Sequence, residues 1–444
     1  VSDPKRPLGL WSATALVVGN MIGSGVFLLP ASFAQYGSAS SLGWLLSTAG
    51  ALLLAVVFAR LGQRHPVSGG PYAFAHIAFG DFVGFLMAWS YWISVWCAVA
   101  AIAVAFAGAM TSLAPDLLAT PANSAVCAIV VVWLCTGLNL IGLRAAGVAQ
   151  VVLTVLKLLP LVVVIVLGAR AVDLHSYTPF NPSGDSLLSV TTTTAALALW
   201  ALLGLECATI PAEHVENAER VVPRATILGV AIGAVVSVAA CMIVLGLVPL
   251  ETLKTSPAPF ADAAQSFAGR GASIAMAGAM AVSCLGALNG WILVQGQIPL
   301  AAARDRLFPA VFARVDANDT PRVGLVIGSV LATMLVVANF NSSLVGLFTA
   351  SILLATAAAL LPYLVCAAAM FVLEPREADA RLWRRVAAAL AFVFSAWALV
   401  GTGAQALEWG AGLLIAGLPV YAWMRMQAPR LTPVTDNLHA VTRK

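Results

Sequence analysis

The chain has 444 residues, of which 61% are hydrophobic and 9% charged, with a formal net charge of +4. Soluble domains carry about 25% charged residues, and no soluble core could absorb this much apolar sequence, so length alone overstates the domain count. The small, scattered positive charge gives no support to a nucleic-acid partner, and the composition describes one membrane-embedded unit.

Apolar stretches long enough to span a bilayer, about 17–25 residues each, fall in chain order near 10–35, 41–60, 82–112, 122–143, 147–169, 188–211, 223–249, 272–301, 323–340, 344–373, 384–403 and 406–426. These twelve predict an all-α integral membrane protein, and the absence of strand-like alternation argues against a barrel. The first stretch follows Lys5 and Arg6 as in a signal peptide, but it runs on to Pro30 through internal glycines and lacks a clear cleavage pattern. It reads as a retained helix. Basic residues set the orientation. With the N-terminus inside, nineteen lysines and arginines fall in cytoplasmic loops and tails, and only Arg170, Lys254 and Arg270 lie outside. Both termini are therefore expected in the cytoplasm.

The seven cysteines lie within apolar stretches, without a CxxC or a His/Cys pair at metal-ligand spacing. They read as small buried apolar residues. The five histidines fall in predicted loops or tails, so a metal site, a cofactor and a histidine-based enzyme all lack support.

Two ionisable residues remain inside apolar stretches, away from their ends: Lys157 in the fifth and Glu206 in the sixth. Each costs about 2.5–3.5 kcal/mol at a helix centre on an insertion scale, so each is expected to face a cavity or a partner. Glu206 is either a structural hydrogen-bonding group or a protonation and substrate-coupling site. Lys157 is either a fixed internal cation tying helices together or a titrating group.

Both stretches that matter most are interrupted by glycine. Gly204 stands two residues before Glu206, and the first stretch holds Gly19, Gly23 and Gly25 within seven residues. Glycine weakens a helix by about 1 kcal/mol, and backbone released from the helical ladder is tolerated in a bilayer only where it lines a cavity or is buried in protein. A single GxG is often no more than close helix packing. Interruptions in the first and sixth segments occupy corresponding positions if segments 1–5 and 6–10 are inverted repeats, as expected for a midplane substrate site. Amides around Ser24 and Gly25, at the start of a half-helix, suit a carboxylate. Carbonyls near Met21, Trp200 and Leu203 suit an ammonium group. The pairing points to an amino acid.

At these residues the chain resembles the amino acid–polyamine–organocation transporters, and most closely the bacterial arginine/agmatine antiporter branch with its basic amino acid and polyamine relatives. The likeness runs through Gly19 to Pro30, Ser68 to Tyr72, Tyr91-Trp92, Leu199-Trp200 with Gly204 and Glu206, and Glu216-Asn217 followed by Arg220 and Pro223. It continues through Gly290-Trp291, Ala302 to Asp305 with Pro309, and Pro362-Tyr363. The resemblance implies one transporter domain over 1–444, with inverted repeats at about 10–169 and 188–373 and two additional helices at about 384–426. It implies alternating access in a bacterial inner membrane, with a small amino acid or amine as substrate, and leaves a homodimer open. Ser24 and Gly25 match positions that hold the substrate carboxylate, and Met21, Trp200 and Leu203 match those whose carbonyls hold the α-amine.

By the same resemblance, Trp291 matches an aromatic that stacks on a cationic side chain, against the plainer reading of a residue filling a helix interface. Tyr91, Glu206 and Tyr363 match a gating and proton-sensing group, and Trp200 a gate over the substrate. Two positions depart from the pattern. Val99 stands where the antiporters carry an asparagine near the guanidinium, and Lys157 where the arginine antiporters have an uncharged residue. An ammonium in the fifth segment could replace the ion held by sodium-coupled relatives, so sodium independence is expected. The expected activity is exchange of a cationic amino acid for its decarboxylated amine, of arginine/agmatine type. A proton-coupled amino acid symporter is the alternative.

Overall fold

The computed structural model describes residues 9–23, 25–65, 69–118, 120–141, 157–209, 215, 217–316, 320–339, 342–374 and 382–427. Ser24, Ser68 and Glu216, named in the sequence reading, and Arg144, Arg376 and Arg381, counted among the basic residues expected in the cytoplasm, lie outside the described residues.

The first predicted segment is two helices, α1 (Leu10–Met21) and α2 (Gly25–Phe33). Next come α3 (Ser40–Arg64), a short α4 (Pro71–Phe79), α5 (Asp81–Leu113), α6 (Pro121–Ile141) and α7 (Lys157–Gly168), the last ending in a wide turn over Val164–Gly168. The second half holds α8 (Leu187–Trp200), α9 (Ala218–Leu247), a single turn α10 (Leu250–Leu253), α11 (Pro259–Arg304) and α12 (Arg322–Ala338). The chain continues through α13 (Leu344–Leu373), α14 (Leu382–Gly401) and α15 (Ala404–Gln427). Among the described residues, eight helical stretches are long and apolar enough to cross a membrane, with α2 and α3 counted as one run, and α1, α7, α8 and α12 are shorter apolar helices.

Local chemistry sets several boundaries. Pro71 and Pro259 open α4 and α11 at the first turn, where a missing N–H costs nothing. Ser186 and Ser343 cap α8 and α13 by accepting from the amides of Ser189 and Gly346. Gly269, at φ 78°, breaks α11 near its start, so the apolar span predicted from residue 272 follows a bend.

The core is built around α5. Every residue from Ser90 to Ala105 on this helix is buried, as expected of a helix that is apolar all round. Its alanines at 98, 100, 101, 103 and 105 let neighbours approach closely, and α11 and α13 pack along it. At one end of the bundle, Arg60 at the close of α3 reaches the buried Glu374 after α13 at 2.6 Å, with Arg384 of α14 at 3.7 Å. This ion cluster ties three helix ends together around a carboxylate 3% exposed.

Candidate functional site

The two helix interruptions meet. The chain leaves helical geometry at Ile22 (φ −85°, ψ 78°) and re-enters it at Gly25. On the other side, α8 stops at Trp200, and residues 201–206 run in turns before a short 3-10 segment at Cys207–Thr209. Gly204 takes φ 96°, which L side chains rarely adopt, and a Cβ there would lie 3.2 Å from the Asn20 Cβ. The second break therefore presses on the end of α1. Gly25 is needed for a different reason: a Cβ there would come 2.3 Å from Trp200 Nε1. Only glycine lets the indole lie flat against the start of α2.

Between the breaks lies a narrow cavity lined by Asn20, Met21, Gly23, Gly25, Ile102, Trp200, Leu203 and Trp291. Its volume is about 10 Å³, room for about one water molecule. Trp200 and Trp291, 6% and 8% exposed, are the two aromatic side chains on its wall. The first-turn N–H groups of α2, starting at Gly25, have no partner within their own helix. The Leu203 amide donates to the Trp200 carbonyl at 3.2 Å.

Beside this cavity the carboxylate of Glu206 is fully buried. Its Oε1 accepts a hydrogen bond from the Tyr91 hydroxyl of α5, and its Oε2 accepts one from the Tyr363 hydroxyl of α13. Phe58 of α3 meets the Tyr363 ring edge-on at 5.1 Å. Both carboxylate oxygens are thus held by donors from two helices other than the broken one. The expected group of Tyr91, Glu206 and Tyr363 is assembled here, three segments distant in sequence.

Lys157 stands apart from that group. It is 2% exposed, and its Nζ donates to the carbonyl of Gly19 at 3.4 Å. Because α1 ends at Met21, the Gly19 carbonyl is among the last four, which have no i+4 amide inside the helix. The ammonium sits at the negative end of the α1 dipole and partners a carbonyl that the break set free.

Of the substrate positions read from sequence, Met21, Gly25, Trp200, Leu203 and Trp291 all line the cavity, and Ser24 lies outside the described residues. Val99 is fully buried but is not a lining residue. Asn20, Gly23 and Ile102 were not singled out as site residues. Ile102 follows Tyr91 by eleven positions, close to three full turns, but α5 is buried on every side there, so spacing alone did not single it out.

A family model described as "Amino acid permease" matches residues 8–415. The chain belongs to the amino acid permease family. Among its relatives, a cadaverine/lysine antiporter of Escherichia coli (strain K12) is 33% identical over 340 residues, covering 75% of this chain and 74% of that protein. A putrescine transporter of Haemophilus influenzae is 30% identical over 428 residues, covering 96% and 98%. A putative arginine/ornithine antiporter of Bacillus subtilis is 32% identical over 461 residues, covering 95% and 98%. This permease is accordingly a multi-pass membrane protein and a transporter of the amino acid–polyamine–organocation type, related to antiporters of basic amino acids and polyamines. The motif resemblance is borne out at the level of the superfamily.

Proposed function

We propose that this permease is a secondary active exchanger that swaps a cationic amino acid for its decarboxylated amine by alternating access. The observation that carries the proposal is the pair of helix breaks facing each other across a cavity lined by Trp200 and Trp291. Half-helix ends supply amides on one side and carbonyls on the other, which suits the two charged groups of an amino acid backbone. At about 10 Å³ the cavity is collapsed, so substrate enters only as the two indoles move, which is the gating an exchanger requires.

The helix packing supports a five-plus-five inverted repeat within twelve spans. Contacts α1–α9 and α3–α8 exchange under a shift of five segments, as do α5–α6 with α11–α12 and α5–α12 with α6–α11. In this topology both termini are cytoplasmic and the membrane is a bacterial inner membrane. Ser24 and Gly25 take the carboxylate, Met21, Trp200 and Leu203 the α-amine, and Trp291 the distal cation. Glu206 with Tyr91 and Tyr363 forms the gating and proton-coupling group.

Two substrate pairs are candidates: arginine with agmatine, and lysine with cadaverine. Asn20 carries the one polar amide among the described lining residues, and Val99 replaces the antiporter asparagine. A guanidinium favours bidentate planar partners, whereas an ammonium behaves as a point charge. The lining therefore supports the ammonium-headed pair. In proteoliposomes, uptake of labelled lysine is expected to require internal cadaverine. Uptake into empty vesicles driven by a pH gradient alone replaces exchange with proton symport. Trp291→Leu is expected to weaken a cationic substrate by about 0.5–2 kcal/mol more than a neutral one; equal weakening assigns Trp291 to packing.

A further inference from the structure

A second cavity, of about 600 Å³, lies away from the substrate site, between α5, α12, α13 and α15, with Thr193 of α8 on its wall. This size falls in the ~300–1,000 Å³ range of sites that enclose small organic molecules. Its walls are graded in polarity. Asn339 at the end of α12, Thr402 after α14 and Gln405 at the start of α15 line one end. All three stand at helix ends, so this mouth is at a membrane surface. Deeper, the lining turns apolar with Leu331, Leu353 and Leu413.

The floor is a specific contact. The Trp89 indole of α5 donates to the Leu413 carbonyl of α15 at 2.9 Å, and a Cβ on Gly417 would come 2.8 Å from that same indole. Above this tether α15 leaves α5 and the gap opens. From Leu413 to Ala404 the helix rises about 13.5 Å, close to half of the ~30 Å hydrocarbon core. The cavity is as deep as one leaflet. Met334 and Trp409 on its walls are 60% and 64% exposed, so it is open sideways to the bilayer. Trp96, two turns beyond Trp89 on α5, lines the upper wall with a buried indole N–H that has no hydrogen-bond partner.

We propose that this wedge is a lipid site that holds one acyl chain of a bilayer phospholipid, with the ester region at the polar mouth and the methyl end on the Trp89–Leu413 floor. The described lining residues include no charged side chain, so the recognised part is the acyl chain and ester, not a headgroup of particular charge. The bound chain fills the space between α15 and α5 and braces α5 and α8, the helices that carry Tyr91 and Trp200.

The test uses the full-length protein in phosphatidylethanolamine/phosphatidylglycerol vesicles doped with a phospholipid bearing a mid-chain diazirine. After irradiation, digestion and mass spectrometry, label is expected to concentrate on residues Leu331 to Ala338 and Ala404 to Leu413. Filling the wedge from either wall, with Ala350→Trp or Met334→Trp, is expected to lower that label by about tenfold, a ~1.4 kcal/mol shift in retention. Labelling of the exposed α14 residues Leu390 and Val393 should stay constant and serves as the control for an intact fold. Label no denser in the wedge than on α14, and indifferent to both substitutions, overturns the proposal in favour of ordinary surrounding lipid. Protection of the wedge together with crosslinks between two copies overturns it in favour of a protein–protein contact.

Discussion

Glu206 and Lys157 are both buried charges in apolar segments, yet the fold treats them differently. Each oxygen of Glu206 accepts from a tyrosine, one on α5 and one on α13, so the carboxylate joins three elements at the second helix break. Among the described residues, Lys157 reaches one backbone carbonyl, Gly19, at 3.4 Å, longer than the ~2.9–3.0 Å typical of such bonds. An ammonium has three donors to place. The carboxylate is locked by its partners; the ammonium stands as a loosely held cation at a free helix end. Both are buried charges, and their described partners distinguish a carboxylate tied on both oxygens from an ammonium tied through one long bond.

The sharpest way to break this contrast is Glu206→Gln. An amide offers one acceptor oxygen, so one tyrosine O–H loses its acceptor, at a cost of about 1–3 kcal/mol for a buried group left unsatisfied. A clear fall in Tm of the purified protein is expected, together with a flattened pH dependence of transport and largely retained substrate binding. An unchanged pH profile would remove the coupling role while leaving the structural one.

Comparable losses are expected from Tyr91→Phe and Tyr363→Phe, about 1.5–3 kcal/mol each for one hydrogen bond to a charged group. Because the two hydroxyls share a carboxylate, the double variant should depart from additivity by roughly 0.5 kcal/mol or more. Strict additivity in thermal or denaturant unfolding would mean two independent bonds rather than one unit.

Much of this arrangement is legible in the sequence. Segment positions followed from hydropathy, and the glycines at 23, 25 and 204 announced breaks that do occur at Ile22 and after Trp200. The grouping of Tyr91, Glu206 and Tyr363 came from motif resemblance, since nothing in local spacing links residues on three segments. What the sequence withheld was facing. Periodicity carries little information on helices apolar all round, so it left Val99 and Ile102 equally plausible as lining residues, and the fold chose Ile102. The short α4 and the part of α11 before the bend at Gly269 were also hidden, because each lies between the predicted spans, where hydropathy reads only a connecting loop. The Gly19 carbonyl as partner of Lys157 depends on where α1 stops, which is a tertiary fact.

The smallest expected effect on stability, and the most telling for the comparison, belongs to Lys157→Met. A lysine at a helix centre costs about 2.5–3.5 kcal/mol on insertion, and a methionine of similar length avoids that cost. Against this stands one long hydrogen bond to Gly19, whose loss leaves a carbonyl at the α1 end without its partner. The two roughly offset, so Tm should stay constant or rise. If the ammonium supplies the positive charge that a bound ion would supply elsewhere, transport should fall sharply in the same variant, and the parent protein should work equally well in sodium and in choline media. A Tm loss matching that of Glu206→Gln would show that Lys157 is as firmly tied as the carboxylate. Unimpaired transport in the variant would reduce it to a cap on α1, and the charge that matters at this site would be Glu206 alone.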